Sequence, residues 1–165
     1  MNSKKLIKGK KILIVDDEPD ILDSLAELLD ICKIESASSF EEGRQMLQSR
    51  SYDMVILDIM GVRGFDLLKV ANSQGIPALM LTANALKLET LKKSIEGGAA
   101  YFAPKEKMIE IDLFVADIFE AIANKKNPWM KLLDRLGDYY DKRFQRSDWR
   151  EKEDDFLKKY MGGKK

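Results

Sequence analysis

The sequence predicts an α/β protein: a doubly wound sheet of five parallel strands in a three-layer sandwich, with a helical extension at the C-terminus. Three observations carry that expectation. Strand-like and helix-like segments alternate five times between residues 10 and 124. Four of the strand-like runs are short and apolar, the mark of parallel strands covered by helices on both faces. These four stop abruptly at polar residues: Ile12-Leu13-Ile14-Val15 at Asp16-Asp17-Glu18, Val55-Ile56-Leu57 at Asp58, Leu79-Met80-Leu81 at Thr82, and Tyr101-Phe102-Ala103-Pro104 at Lys105. In an open parallel sheet the strand C-termini share one edge, and ligands bind in the crevice there. Asp16, Asp17, Asp58, Thr82 and Lys105 are therefore expected to converge.

Residues 1–9 read as a basic N-terminal segment, and 10–124 as the main domain. The first strand, at 11–15, leads into a helix near 20–31, where Ile21, Leu22, Leu25, Leu28 and Leu29 recur every three or four residues. A weak strand at 34–37 precedes a helix near 40–48, for which Ser39 and Glu42 have the spacing of a capping box. A strand at 54–58 leads into a helix at 65–71, and one at 77–82 into a helix at 86–95 that Gly97-Gly98 terminates. The last strand, at 100–103, leads into a helix at 109–123. Repeats of this unit with right-handed crossovers give the doubly wound architecture. Asn127-Pro128 then restarts the chain, asparagine as an N-cap and proline as the first helical residue. Residues 125–165 read as two amphipathic helices. Trp129, Leu132, Leu133, Leu136, Tyr140 and Phe144 form one stripe; Trp149, Phe156, Leu157 and Tyr160 form the other, capped by Ser147.

The chain contains no histidine and a single cysteine. That excludes Ser-His-Asp and Cys-His catalysis, the usual His-containing zinc sites and any thiolate metal cage. What remains is chemistry on oxygen ligands and a hard cation. Cys32 permits no intramolecular disulfide and is expected to act as a small buried hydrophobe. At 45% hydrophobic and 34% charged residues the chain can bury a core. No apolar run approaches the roughly 20 residues needed to span a bilayer. The basic N-terminus is followed by only a short apolar run before Asp16, too short for a signal peptide, so a cytoplasmic location is expected. The net charge of zero hides an asymmetry: 15 Lys/Arg face 20 Asp/Glu through residue 124, and 13 face 8 beyond it. An acidic body precedes a basic tail.

Three carboxylates, a hydroxyl and an ammonium at one sheet edge suit a divalent metal and a phosphoryl group. A carboxylate can attack phosphorus as an oxygen nucleophile. Such a transfer depends on positioning and on neutralising charge at the equatorial oxygens. The acidic pair after the first strand, the aspartate ending the third, Thr82-Ala83 ending the fourth and the lysine ending the fifth together resemble the receiver domain of two-component response regulators. The resemblance covers residues 10–123 and implies a flavodoxin-like fold and a phosphoacceptor switch, not a classical enzyme. It implies that Asp58 is the phosphoacceptor and a Mg²⁺ ligand, that Asp17 binds the ion directly and Asp16 through water, and that the Met60 backbone carbonyl completes the set. It also implies that Lys105 pairs with one phosphoryl oxygen and the Thr82 hydroxyl with another, and that Thr82 and Phe102 are switch residues. The expected partner is a histidine kinase or histidine phosphotransfer protein; a chain without histidine needs its donor from elsewhere.

Three positions depart from the family pattern. Receivers commonly carry Met-Pro after the phosphoacceptor and a glycine eight positions on. Here Asp58 is followed by Ile59-Met60-Gly61-Val62-Arg63-Gly64, a loop about two residues short. Lys105-Glu106, preceded by Pro104, replaces Lys-Pro. Met60 sets an apolar side chain beside the water path to an acyl phosphate and is expected to slow self-hydrolysis. Three readings of the tail stand side by side: a cap on its own receiver, an interface for another protein or a second copy, and DNA binding. The last is disfavoured because the basic residues alternate with Asp134, Asp138, Asp141, Asp148 and the acidic stretch 151–155. Two other functions compete: a receiver fold that binds partners without phosphorylation, and a haloacid-dehalogenase-type phosphohydrolase. The latter requires Asp-x-Asp after its first strand, which Asp16-Asp17-Glu18 lacks.

Overall fold

The computed structural model describes residues 3–83, 88–131 and 134–135. Five strands, β1 (Lys11–Val15), β2 (Lys33–Ala37), β3 (Met54–Asp58), β4 (Ala78–Thr82) and β5 (Tyr101–Pro104), form one parallel sheet in the order β2-β1-β3-β4-β5. β3, β4 and β5 are buried along their whole length, and β1 from its second residue. Such strands need aliphatic residues on both faces, which is why their sequences read as unbroken apolar runs. β2 is the exception. In its Lys33-Ile34-Glu35-Ser36-Ala37 only Ala37 is buried, and the charges on this edge discourage pairing with another chain.

Among the described residues six α-helices flank the sheet: α1 (Ser3–Ile7), α2 (Pro19–Leu28), α3 (Phe40–Ser49), α4 (Gly64–Ser73), α5 (Leu88–Glu96) and α6 (Ile111–Ala123). α1 and α2 pack against α6 on one side, and α3 packs against α4 on the other. The end of α5 is tied to α4 by the Asn72 amide, which donates to the Gly97 carbonyl at 2.7 Å. The register pairs Val15 with Leu57, Asp58 with Leu81, and Thr82 with Pro104, so β1, β3, β4 and β5 end nearly level. The chain reverses its direction of growth between β1 and β3, which places a crevice at their C-terminal ends. Among the described residues no helix is long and apolar enough to cross a membrane.

The five strands expected between residues 10 and 124 are present with helices between them, with instructive differences. The Ser39 hydroxyl caps α3 by accepting from the Glu42 amide at 3.2 Å, but the Glu42 carboxylate reaches back to the Ser38 amide, not to that of Ser39. Residues 3–9, expected to precede the domain as a basic segment, take part in its packing. The Leu6-Ile7 pair lets a single helical turn dock on α6 with Ile7 buried, and the Gly9 amide donates to the Ile31 carbonyl at 2.8 Å. Cys32 is half-buried beneath that turn, its thiol donating to the Ile7 carbonyl. Burial, with Asp30 nearby, pushes the thiol up to about 11, so it is an inert packing group. After β5 the chain forms a 3₁₀ stretch, Lys105–Glu110, before α6 begins.

The basic tail starts as a strap on the body. The Asn127 side chain accepts from the Trp129 amide at 3.0 Å and starts a 3₁₀ turn, Pro128–Lys131, where a regular helix was expected. Trp129 is 4% exposed; its indole donates to the Ala99 carbonyl at 2.8 Å and meets the Tyr101 ring edge-on at 6.0 Å. Arg135 grips the buried Asp117 of α6 with two hydrogen bonds, of 2.5 and 2.9 Å, and Asp117 also accepts from the Tyr101 hydroxyl at 2.8 Å. Burial and the Asp117 carboxylate hold the Tyr101 phenol far above its ordinary range. The rest of the expected stripe, from Leu132 to Phe144 with Leu133, Leu136 and Tyr140, and the second helix around Trp149, Phe156, Leu157 and Tyr160, lie outside the described residues.

If the strap folds with the body, Trp129→Ala lowers the unfolding free energy by about 3 kcal/mol in urea titration. A double-mutant cycle on Asp117 and Arg135 gives a coupling of about 1–3 kcal/mol. Additive single mutants would mean that the strap docks without contributing through this pair.

Candidate functional site

Parallel strands deliver their C-terminal residues to one rim. Asp16 follows β1, its amide still donating to Ala37 of β2 at 3.1 Å, so it extends the strand by one residue. Asp58 and Thr82 are the last residues of β3 and β4, and Lys105 follows β5 directly. Asp16 is 1% exposed, Asp58 5% and Thr82 1%, while Asp17 is exposed.

The Lys105 ammonium lies among three carboxylates. Its Nζ is 3.1 Å from Asp58 Oδ1, 3.2 Å from Asp16 Oδ2 and 3.3 Å from Glu18 Oε1. Burial works against the lysine's charge, but the hydrogen bond to Asp58 and the charges of Asp16 and Asp58 outweigh it, so its pKa is held above the usual value. For Asp16 the balance is the reverse. Burial pushes its carboxyl above the usual carboxylate range, the Asp58 charge adds to this, and the Glu18 amide and Lys105 offset only part. Asp16 Oδ1 accepts from that Glu18 amide at 2.9 Å. Oδ2 is buried with no hydrogen-bond partner, because Lys105 approaches it at ion-pair distance without hydrogen-bond alignment.

Asp16, Asp17 and Asp58 each offer one carboxylate oxygen, and these oxygens all lie within 4.8 Å of one another. Oxygen donors at that spacing, with Asp16 and Asp58 buried and Asp16 Oδ2 without a hydrogen bond, fit a hard divalent cation. The loop after β3 contributes in ways the sequence does not announce. The Gly61 amide donates to Asp58 Oδ2 at 2.9 Å, so both Asp58 oxygens are held, one by Lys105 and one by backbone. A Cβ on Gly61 would lie 2.2 Å from Asp17 Oδ1, and one on Gly64 would lie 2.4 Å from the Asp58 carbonyl oxygen. The short loop thus closes directly on both aspartates. Its last residue before α4, Arg63, takes the left-handed conformation (φ 56°). Stacking on Phe40 at 4.0 Å and a 3.0 Å ion pair with Asp66 hold it there.

Met60 is 70% exposed beside the carboxylates. Thr82 lines a groove with Ile59, Met60, Phe65, Thr90 and Lys93. Phe102 is fully buried in β5, in register with Met80. Asp16, Asp17, Asp58, Thr82 and Lys105 are therefore all at the sheet edge, Phe102 packs two residues inside it, and Glu18, Gly61 and Gly64 join them.

The two glycines separate by measurement. Gly64→Ala drives a methyl into backbone and lowers stability by about 1–3 kcal/mol in thermal or urea unfolding. Gly61→Ala meets only the mobile end of an exposed aspartate. It leaves stability within about 0.5 kcal/mol and weakens Mg²⁺ binding, read by calorimetry, by about tenfold or more. Equal losses of stability in both variants would contradict this geometry.

The family model described as response regulator receiver domain matches residues 12–116. A two-component response regulator of Arabidopsis thaliana is 33% identical over 99 residues, which is 56% of this chain and 16% of that protein. The heme response regulator of Staphylococcus aureus strain Newman is 33% identical over 108 residues, 60% of this chain and 48% of its own length. The match thus spans less than half of either relative. Among solved structures, a CheY-like receiver domain protein from Methanospirillum hungatei aligns with a TM-score of 0.58 at 28% identity, covering 68% of this chain and 98% of that one. A putative response regulator from Chloroflexus aurantiacus aligns with a TM-score of 0.61 at 26% identity, covering 68% and 99%. The parallel five-stranded sheet agrees with these matches, and the family match spans more than half of the sequence: the chain belongs to the response regulator receiver domain family.

Proposed function

We propose that this receiver is a phosphoacceptor switch in a two-component phosphorelay, with Asp58 as the group that is phosphorylated. The observation that carries the reading is the placement of Asp58, with Lys105 3.1 Å from one oxygen and Asp16 and Asp17 within the same cluster. In the reaction a carboxylate oxygen of Asp58 forms a bond to phosphorus as the bond from phosphorus to the donor breaks, and the leaving group departs with the electron pair. Lys105 neutralises one phosphoryl oxygen and the Thr82 hydroxyl donates to another. Asp16, Asp17, Asp58 and the Met60 carbonyl would hold Mg²⁺, which supplies most of the charge neutralisation that the equatorial oxygens need. Gly61 orients the acceptor through its amide. This chain has no histidine, so the donor is another molecule: a phosphohistidine of a kinase or phosphotransfer protein, or a small phosphodonor.

Phosphorylation adds a dianion to a site where Thr82 ends β4 and Phe102 lies in β5, so movement of Thr82 toward the new charge and repacking around Phe102 constitute the switch. The output is a change in protein contact. The onset of the tail supports a cap over DNA binding: Trp129 is buried, Arg135 is committed to Asp117, and Lys131 lies 3.5 Å from Glu120.

Incubation with acetyl phosphate and Mg²⁺ adds the mass of one phosphoryl group to the intact protein. Asp58→Asn or excess EDTA abolishes the addition; no added mass on the wild type would favour a receiver that acts without phosphorylation. The exposed Met60 side chain shields the acyl phosphate from water, so Met60→Asn shortens its lifetime by about tenfold or less. An unchanged lifetime would remove Met60 from that role.

A further inference from the structure

Of the three carboxylates around Lys105, two have roles in the phosphoacceptor reading, and Glu18 has none. It lies outside the cluster of oxygens suited to the cation. It occupies the N-cap position of α2, just before Pro19, yet its carboxylate makes no capping hydrogen bond to the helix. Its backbone amide is instead committed to Asp16 Oδ1, and its side chain reaches across the mouth of the site to hydrogen-bond Lys105, 87 positions away in the chain. An ammonium has three protons and no acceptor capacity. The oxygens of Asp58, Asp16 and Glu18, at 3.1, 3.2 and 3.3 Å, surround it on the inside and at the rim.

We infer that Glu18 is a positioning residue that competes with the phosphoryl group for Lys105 and so sets how readily the phosphorylated state forms. The inference rests on the phosphoacceptor reading and deepens it. A carboxylate at 3.3 Å neutralises part of the charge that Lys105 must present to a phosphoryl oxygen, and it adds negative charge where an anionic donor arrives. The geometry fits a reversible competitor. The Glu18 side chain is 61% exposed, against 17% for Lys105, so it can swing into solvent when a stronger acceptor takes the ammonium. An exposed pair of this kind contributes modestly, which suits a residue that adjusts an equilibrium and does not build the site.

The test is titration of the full chain with beryllofluoride, a mimic of the aspartyl phosphate, at saturating Mg²⁺ and followed by fluorine NMR. Three proteins are compared: wild type, Glu18→Gln and Glu18→Asp. Glutamine removes the charge. Aspartate keeps the charge and the ability to cap α2 but falls short of Lys105 by about 1.5 Å. Both variants bind beryllofluoride about two- to fivefold more tightly than wild type, and the gain from Glu18→Gln disappears in a Lys105→Ala background. A residue that only caps the helix would change stability and leave this affinity unmoved. Unchanged or weaker affinity in Glu18→Gln overturns the inference. So does a Glu18→Asp variant that matches wild type, because the effect would then be one of field and not of contact. Wild type that binds no beryllofluoride overturns the phosphoacceptor reading and this inference with it, whereas wild-type binding with unaltered variants overturns this inference alone.

Discussion

One ammonium holds together a sheet edge that its own charges would drive apart. Asp16 and Asp58 are nearly devoid of solvent, and two carboxylates at that depth are costly unless something positive lies between them. Lys105 occupies that position because β5 is fully buried and ends level with β4, and because the 3₁₀ stretch that follows leaves the lysine at the rim. The compensation rests on that single ammonium: Lys105 lies 3.2 Å from Asp16 Oδ2 and 3.1 Å from Asp58 Oδ1, so two buried carboxylates share one positive charge. The sheet thus stores binding capacity at its edge, and stability and function draw on the same contacts.

Much of this was legible in the sequence, for identifiable reasons. Strands buried on two faces must be apolar throughout, and a strand that surfaces must change chemistry, so the stops at Asp16, Asp58, Thr82 and Lys105 showed both the sheet and its edge. What was not legible depends on distances that no periodicity encodes. The role of Gly61 follows from a loop short enough to press its backbone on Asp17, with Arg63 in a left-handed conformation held by Phe40. Glu18 read as the third member of an acidic run, and its reach to Lys105 is a fact of folding. α1 is too short for helical period to show, and its lysines hid the Leu6-Ile7 pair that docks it. Asp117 sits in an apolar helix, where a lone carboxylate reads as a solvent-facing position; its burial is made tolerable by a residue 18 positions later, beyond the domain boundary that composition suggested.

That last arrangement bears on what counts as the unit of this protein. The family match ends at residue 116, one position before Asp117, in the middle of α6. A cut there would divide the helix and remove the partners of Tyr101 and Ala99. A cut at residue 124 would keep the helix but leave a buried carboxylate facing an empty seat. Among the described residues the contacts around α6 reach from α1 to Arg135, past the end of the family match, so a chimera that joins a foreign segment at residue 116 or 124 inherits a body with a missing piece.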